Sequence, residues 1–498
     1  MKAIVMGGGM SGLAAAINLL DLGIDVELVE ADEIFGGRAN SWLDEDGDMI
    51  DNALHVFMPY YVNLLSFFKK MGISDNIMWK DSKFYFQMPG GESAILKFIK
   101  LPAPFHAVYA MGYLLKDFKA APRWKMILGG AGMGMGMMRA IPRMDKADKL
   151  SMESFLSKYG SLEGMRPLME PAINGLTFTR GYEVSAKVMM NWFLKMFVSS
   201  KNSRIGFANG GLGEIWVDSC TDYIEKKGGK LTLKKGVTAI NMEGNKVKNI
   251  VFEDGETAEA ELYVSAMSPY SLRRALPEEA FDYDYFRQLW RYSYAPSLSL
   301  QVWFDKKITD VDVTFFSNGR VYNTYADLSN VLPHIFKGGS MMEMVLSPAD
   351  YIEGLPDRVI FDMCIEGIKE DFPLSKDAEV KKWKVVRERQ GVYRPYPGME
   401  EFRPFQRSPL ENFYMTGDFT KTHVSSGGME AAIWTANKTA ELIAADKMNK
   451  SLDLNVEYKP YDLMVQAMRI MEPLQYAGIA ALGLWLLKKK LFGKKAKA

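Results

Sequence analysis

The sequence predicts an α/β protein in which a doubly wound, parallel-sheet domain is interleaved with a mixed α+β domain. Three observations predict it. The first thirty residues read strand, glycine loop, helix, strand; a partner strand, turn and helix come only at 412–443; and the stretches between are rich in both helical and strand patterns. A domain built from both ends of a chain carries the other as an insertion. At 498 residues there is room for two or three domains with sizeable cores.

Lys2–Met6 reads as a short buried strand centred on Ile4 and Val5, Leu13–Leu22 as a helix ending near Gly23, and Asp25–Glu30 as a second strand. Gly7, Gly9 and Gly12 form G-x-G-x-x-G between strand and helix, with Gly8 and Ser11 inside it. Gly7 allows the tight turn, Gly9 lets the backbone approach a pyrophosphate, and Gly12 lets helix and strand pack closely. The helix N-terminus offers free N–H groups to phosphate. Glu30, eighteen residues after Gly12, is placed to accept hydrogen bonds from a ribose and would repel a 2′-phosphate. A glycine turn that binds nothing is the bland alternative, and the register of strand, loop, helix, strand and acid argues against it. The unit is Rossmann-type and by itself leaves NAD and FAD open.

The next residues, E-A-D-E-I-F-G-G-R-A-N-S-W from Glu30 to Trp42, resemble the FAD-binding start of the amine oxidase and phytoene desaturase superfamily. There the G-G-R loop, here Gly36, Gly37 and Arg38, lies along the dinucleotide, and Arg38 would neutralise pyrophosphate charge. A surface arginine after a turn is the blander alternative, and the motif argues against it. From Trp42 a hairpin turns at Asp46-Gly47, and an apolar helix follows near Tyr60–Met71. The D-E-D-G-D turn at Asp44–Asp48, Ala53-Leu54-His55, Trp79-Lys80, Met88-Pro89 and the L-P-A-P of Leu101–Pro104 are similar to plant-type carotene desaturases. Ala53 stands where that family often has glycine.

Residues 122–142 are unusual: the uncharged run Met126–Met138 holds five glycines and would be about 20 Å long as a helix, short of a ~30 Å hydrocarbon core. It reads either as a buried helix packed closely on its neighbours or as a pliable wall of an apolar tunnel. Ser151–Tyr159 starts like a capped helix with Ser151 and Ser154 as candidate caps. Pro167–Val198 is helical and apolar, broken around Thr177–Tyr182. Arg204–Trp216 gives strand, glycine loop and helix; Gly213, Glu214 and Ile215 replace the proline and E-R pair usual in plant-type desaturases. Strands alternate through Gly229–Ala266, with Val237 near the adenine by motif position. No second G-x-G-x-x-G follows, which speaks against a separate NADPH domain. Residues 270–405 are mixed, with a strand at Ser297–Phe304.

In Asn412–Ile443 a strand at Phe413–Thr416 meets a turn at Gly417-Asp418, and a helix starts about Gly428. Superfamily members close the flavin site this way, so the resemblance implies Asp418 on the ribityl chain and the helix N-terminus at Met429 facing the flavin edge that gains negative charge. The resemblance runs to about residue 445. It implies non-covalent FAD held by Gly7, Gly8, Gly9, Ser11, Gly12, Glu30, Ala31, Gly37, Arg38, Val237, Gly417, Asp418 and Met429. The expected division is an FAD domain at 1–75, 204–270 and 406–446, a substrate domain at 76–203 and 271–405, and a tail at 455–498.

The totals narrow the function. Sixty-one basic side chains balance 61 acidic ones, so no global field points to nucleic acid. Two distant cysteines, Cys220 and Cys364, suit a reducing compartment, and four scattered histidines give no metal spacing. The first strand begins at residue 2, and no signal or transit peptide is expected ahead of it. The tail carries an apolar run, Pro473–Leu487, of about 22 Å as a helix, with Trp485 inside it and six lysines after it. It is expected to lie on the cytoplasmic side of a membrane without crossing it, unless it docks on the protein itself or on a partner.

The expected activity is FAD-dependent desaturation of a long apolar isoprenoid such as a carotene precursor, with a lipid quinone or oxygen as electron acceptor. No acid–base residue is nominated; His55 is the weak candidate, and a hydrogen-bonded structural histidine is the reading preferred for it. A hydroxysqualene dehydroxylase or carotene isomerase of the same superfamily is the enzymatic alternative. A prenyl-lipid escort protein without redox work is the alternative of another class.

Overall fold

The computed structural model describes residues 1–88, 90–103, 105–422, 427–460 and 466. His423, Pro89, Pro104 and nearly all of the proposed membrane tail, including Pro473–Leu487 and Trp485, lie outside the described residues.

Five parallel strands form the first sheet: β1 (Lys2–Met6), β2 (Asp25–Val29), β3 (Lys230–Thr232), β4 (Leu262–Ser265) and β5 (Phe413–Met415), in the order β5–β4–β1–β2–β3. β1 and β4 are near-continuous apolar runs because helices or loops cover both faces of a parallel sheet. Helix α1 (Met10–Asp21) packs against α2 (Met429–Met448), with the Asn18 and Asn437 amides 2.8 Å apart between them. α1 begins three residues earlier than the pattern at Leu13 suggests. The reason is local: Gly9 is already the extended N-cap, and its carbonyl accepts the Leu13 N–H at 3.0 Å.

The second sheet has seven strands in the order 380–393, 294–304, 341–346, 322–327, 315–317, 83–87 and 93–97. It is antiparallel except where 315–317 runs parallel to 83–87. Tyr294–Phe304 is its long buried strand, beginning three residues before the expected Ser297. Helices at 105–114, 123–140, 152–158, 162–177 and 186–197 share a core with the 83–97 hairpin. Residues 178–185 separate the last two, close to the break expected at Thr177–Tyr182. A small antiparallel sheet of 237–243, 246–252 and 257–258 lies between β3 and β4.

Two expectations sharpen. Ser151 alone caps the 152–158 helix, its hydroxyl accepting the Ser154 N–H at 3.1 Å. The glycine-rich run is one face of helix Arg123–Ala140, and it does not line the main cavity. A Cβ on Gly132 would meet the Tyr159 carbonyl at 2.3 Å, and one on Gly164 would meet the Lys125 carbonyl at 2.0 Å. The glycines there let two helix backbones touch.

Around the Ser41–Asp51 hairpin, the carboxylates of Asp44, Asp46 and Asp48 surround the Lys382 ammonium at 2.6, 2.7 and 2.6 Å. Theirs is the acidic cluster with metal-like spacing among the described residues, and a lysine sits at its centre. The tail is expected from residue 455, but its start is fastened to the body. Val456 N–H donates to the Asn63 amide oxygen at 2.8 Å, and the Tyr458 hydroxyl meets Asn202 at 2.9 Å. Among the described residues no helix is long and apolar enough to cross a membrane.

Candidate functional site

A cavity of about 610 Å³ opens where β1, β2, β4 and β5 end, touching Met6, Val29, Ala266 and Gly417. In open parallel sheets this carboxyl edge is where ligands bind. The glycine loop builds its floor. Gly7 has φ +106° and donates its N–H to the Val29 carbonyl at 2.8 Å. A Cβ on Gly12 would lie 1.9 Å from the Gly7 carbonyl oxygen, so helix and loop pack as the motif requires. At Gly9 the only neighbour of a Cβ is the Gly37 Cα at 3.9 Å, which leaves that side open to the cavity.

Gly7, Gly9 and Ser11 line the cavity, and Gly8 and Gly12 do not. Both stand behind the loop and shape it. Gly8 donates its N–H to Glu30, and a Cβ there would meet the Phe35 ring at 2.4 Å. Glu30 therefore has a task the motif did not announce. One carboxylate oxygen accepts from Gly8 and the other from the Asp32 N–H at 3.0 Å, locking the loop. Each oxygen keeps a further lone pair, and Glu30 still borders the cavity beside Ala31.

The G-G-R loop lies directly on the glycine loop. Gly36 donates to the Gly8 carbonyl at 2.9 Å, and Gly37, at φ +58°, is so close that its Cβ would be 3.1 Å from the Gly9 Cα. Arg38 then reaches across. Its guanidinium donates to the Asp418 carboxylate at 2.8 Å and to the Gly391 carbonyl at 2.8 Å. Asp418 also accepts the Gly428 N–H at 3.0 Å, and the buried Arg403 clamps the same turn through the carbonyls of Asp418, Phe419 and Thr420.

Two helices point uncapped N-termini at this space. Neither Gly9 before α1 nor Gly428 before α2 has a side chain to satisfy the first-turn N–H groups. Glu430 fixes the start of α2 by accepting from the Asn63 and Leu64 backbone at 3.1 and 2.8 Å. Val237, Gly37, Gly417 and Met429 line the cavity. His55 lines it too. Its Nδ1 lies 2.7 Å from the Ala53 carbonyl, and burial with the nearby Arg38 charge holds its pKa below the ordinary imidazole range.

The apolar part of the lining, the arm, is formed by Leu54, Val56, Tyr61, Leu176, Phe178, Val188, Met189 and Trp192. Sequence reasoning left these residues, and Tyr294, Glu388, Gln390 and Tyr393, without a role. Phe178 holds φ +54°, and Leu54, Val56 and Tyr61 lie in the loop before the helix at 62–71; the others sit in ordinary strands and helices and give no local signal.

The profile of the family described as Flavin containing amine oxidoreductase matches residues 10–444. The chain belongs to that family. It is similar to the 15-cis-phytoene desaturase of Synechococcus elongatus, 29% identical over 89% of this chain and 96% of the relative. It is also similar to the zeta-carotene desaturase of Synechocystis, 27% identical over 90% of this chain and 98% of the relative. An oxidoreductase structure from Methanosarcina mazei shares the fold, with a TM-score of 0.67 at 18% identity over 89% of this chain and all of that one.

Membership makes the protein an FAD-dependent oxidoreductase of the flavin-containing amine oxidoreductase family. The residues present fit FAD. The open side of Gly9, two uncapped helix N-termini, and an Arg38 bordering the cavity supply what a pyrophosphate needs. On the same wall the Tyr393 hydroxyl and the Gln390 amide oxygen are buried and have no hydrogen-bond partner among the described residues.

Proposed function

We propose that the protein desaturates a long apolar isoprenoid, using non-covalently held FAD and passing the electrons to a lipid quinone or oxygen. One observation carries the reading: the arm, lined by Tyr61 and segments 54–56, 175–178 and 188–192, brings no carboxylate, its ionisable groups being the His55 ring and the Tyr61 phenol. An ammonium substrate would enter that arm without a carboxylate to meet it, whereas a hydrocarbon loses nothing there and gains from burial. The relatives named phytoene and zeta-carotene desaturase support the same substrate class. Residues 1–75, 204–270 and 406–446 form the proposed FAD domain, and 76–203 and 271–405 the proposed substrate domain. The tail from 455 is the proposed membrane attachment.

Bound FAD would supply a hydride acceptor. The chain's own residues do the rest. Gly7, Gly9, Ser11, Arg38, Gly417, Asp418 and the start of α2 would hold the dinucleotide, with Glu30, Ala31 and Val237 at its adenosine end. Leu54, Val56, Phe178, Val188, Met189 and Trp192 orient an extended chain and exclude water. His55, neutral and tied to the Ala53 carbonyl, keeps charge out of the arm. It is a wall residue in this reading rather than the proton-transfer group. Neither cysteine borders the cavity, which favours non-covalent attachment.

Incubating the FAD-loaded protein with long isoprenoid hydrocarbons and a quinone analogue tests this. Products should lose pairs of hydrogens and gain conjugated double bonds. Products of unchanged mass would assign an isomerase, loss of a hydroxyl a dehydroxylase, and a colourless protein that only retains lipid an escort. Val188→Trp or Met189→Trp should lower turnover of long substrates at least about tenfold by filling the arm, with flavin content unchanged.

A further inference from the structure

Two neighbouring helices turn apolar side chains outward. In Phe105–Leu114 the buried face is His106, Ala110 and Leu114, and Phe105, Val108 and Tyr109 form the opposite stripe. In Arg123–Ala140 the buried face is the glycine stripe, and Trp124, Ile127, Leu128 and Met135 face out. Phe105, Val108, Trp124, Ile127, Leu128 and Met135 are each more than half exposed. A surface helix ordinarily presents charge on that side. The Arg123 guanidinium donates to the Lys116 carbonyl, which ties the start of the second helix to the chain leaving the first.

The segment that carries this face is basic, with Lys119 and Lys125 paired to Glu92 and Glu163 at 2.5 and 2.6 Å. Residues 97–143 contain eight lysines and arginines and one acid, Asp117, in a chain whose totals balance. The Lys116 and Lys125 ammonium groups lie over the Tyr113 and Trp124 rings at the rim. Exposed apolar surface bordered by cations and amphipathic aromatics matches the boundary of an anionic bilayer, where side chains enter the acyl region and basic groups meet headgroups. A second copy of the chain fits less well, because a two-fold contact would set one basic rim against another.

We propose that the face from Phe105 to Met138 docks on the surface of an anionic lipid bilayer. Helix 123–140 packs on helix 162–177, and the end of the latter, Gly175–Thr177, lines the cavity. The docked face thus lies one helix away from the apolar arm. Lipid binding is read without turnover, so this proposal stands or falls separately from the desaturase reading.

Cys220 and Cys364 are buried, so in the full-length protein a thiol-reactive fluorophore selects a cysteine introduced by Leu128→Cys. With vesicles of phosphatidylcholine and phosphatidylglycerol, that label should shift to the blue and be quenched by brominated lipid. A label at Lys226→Cys, on the dinucleotide domain, should not. Combining Phe105→Ser, Trp124→Ser and Leu128→Ser, all solvent-exposed, should lower the vesicle-bound fraction at least about tenfold. Replacing phosphatidylglycerol or raising salt should weaken binding further. Unchanged binding of the triple variant, or an unquenched label at 128 on vesicle-bound protein, overturns the proposal. So does a label already shielded before vesicles are added, which would mean the chain covers its own face. A dimer abolished by the triple variant, without vesicle binding, would assign the surface to a second copy.

Discussion

Arg38 and Asp418, 380 positions apart, meet at 2.8 Å on the wall of the cavity. Arg38 comes from the first βαβ unit and Asp418 from the turn after β5. The Gly391 carbonyl on the second sheet is the other partner of the guanidinium. Arg38→Ala leaves Asp418 with one fewer donor and removes a positive charge from the cavity. Asp418→Asn keeps the shape and loses the charge. Each should weaken FAD binding by about 1.5–3 kcal/mol, measured as flavin retained after gel filtration. Full flavin content in both variants would count against this pair as part of the site.

Gly9 and Gly12 should separate fold from binding. Gly9→Val meets nothing nearer than the Gly37 Cα and should leave the unliganded protein close to wild-type stability, yet bind no FAD. Gly12→Ala places its Cβ 1.9 Å from the Gly7 oxygen and should cost at least about 2 kcal/mol of stability as well as the flavin. Thermal melts of the flavin-free proteins distinguish the two.

Burial raises the pKa of both Asp51 and Glu343; the Asp51 charge adds to the cost of ionising Glu343, and the Glu214 charge to that of Asp51. Gln301 joins them, its amide donating to the Asp51 carbonyl at 3.1 Å and to the Glu343 carboxyl at 3.3 Å. From the ordinary carboxylate range near about 4 upward, the native state holds more protons than the unfolded chain, so stability falls as pH rises. Glu343→Gln should therefore gain Tm relative to wild type as pH rises, by about 1–2 °C between mildly acid and alkaline buffer. A constant difference across that range would contradict the assignment.

His55 carries the opposite sign. Its folded pKa is lowered by burial, so below the ordinary imidazole value of about 6.5 the unfolded chain takes up the proton first. Stability contributed by the neutral ring is present above that value and is lost as pH falls. His55→Asn should flatten this acid-side loss in Tm. It should also reduce turnover by less than about tenfold, whereas a general base would cost more.

The sequence alone determined the local devices: the glycine loop, Glu30 at the end of the second strand, the G-G-R loop, and Gly417-Asp418 ahead of the last helix. Each is a short-range requirement, set by positive φ, close backbone approach or a helix N-terminus, and so it leaves a mark on neighbouring residues. Tertiary structure alone decided what those devices touch. Glu30 grips Gly8, Arg38 spans to Asp418 and Gly391, and Arg403 steadies the Asp418 turn, all over distances in sequence that no local pattern records. The arm is less legible still. Leu176, Met189 and Trp192 look like any core residues, because burial against protein and burial against a hydrocarbon place the same demand on a side chain. The same reasoning covers helix 123–140, where composition marked the glycines, but only packing showed that they face inward and that Trp124, Ile127 and Leu128 face out.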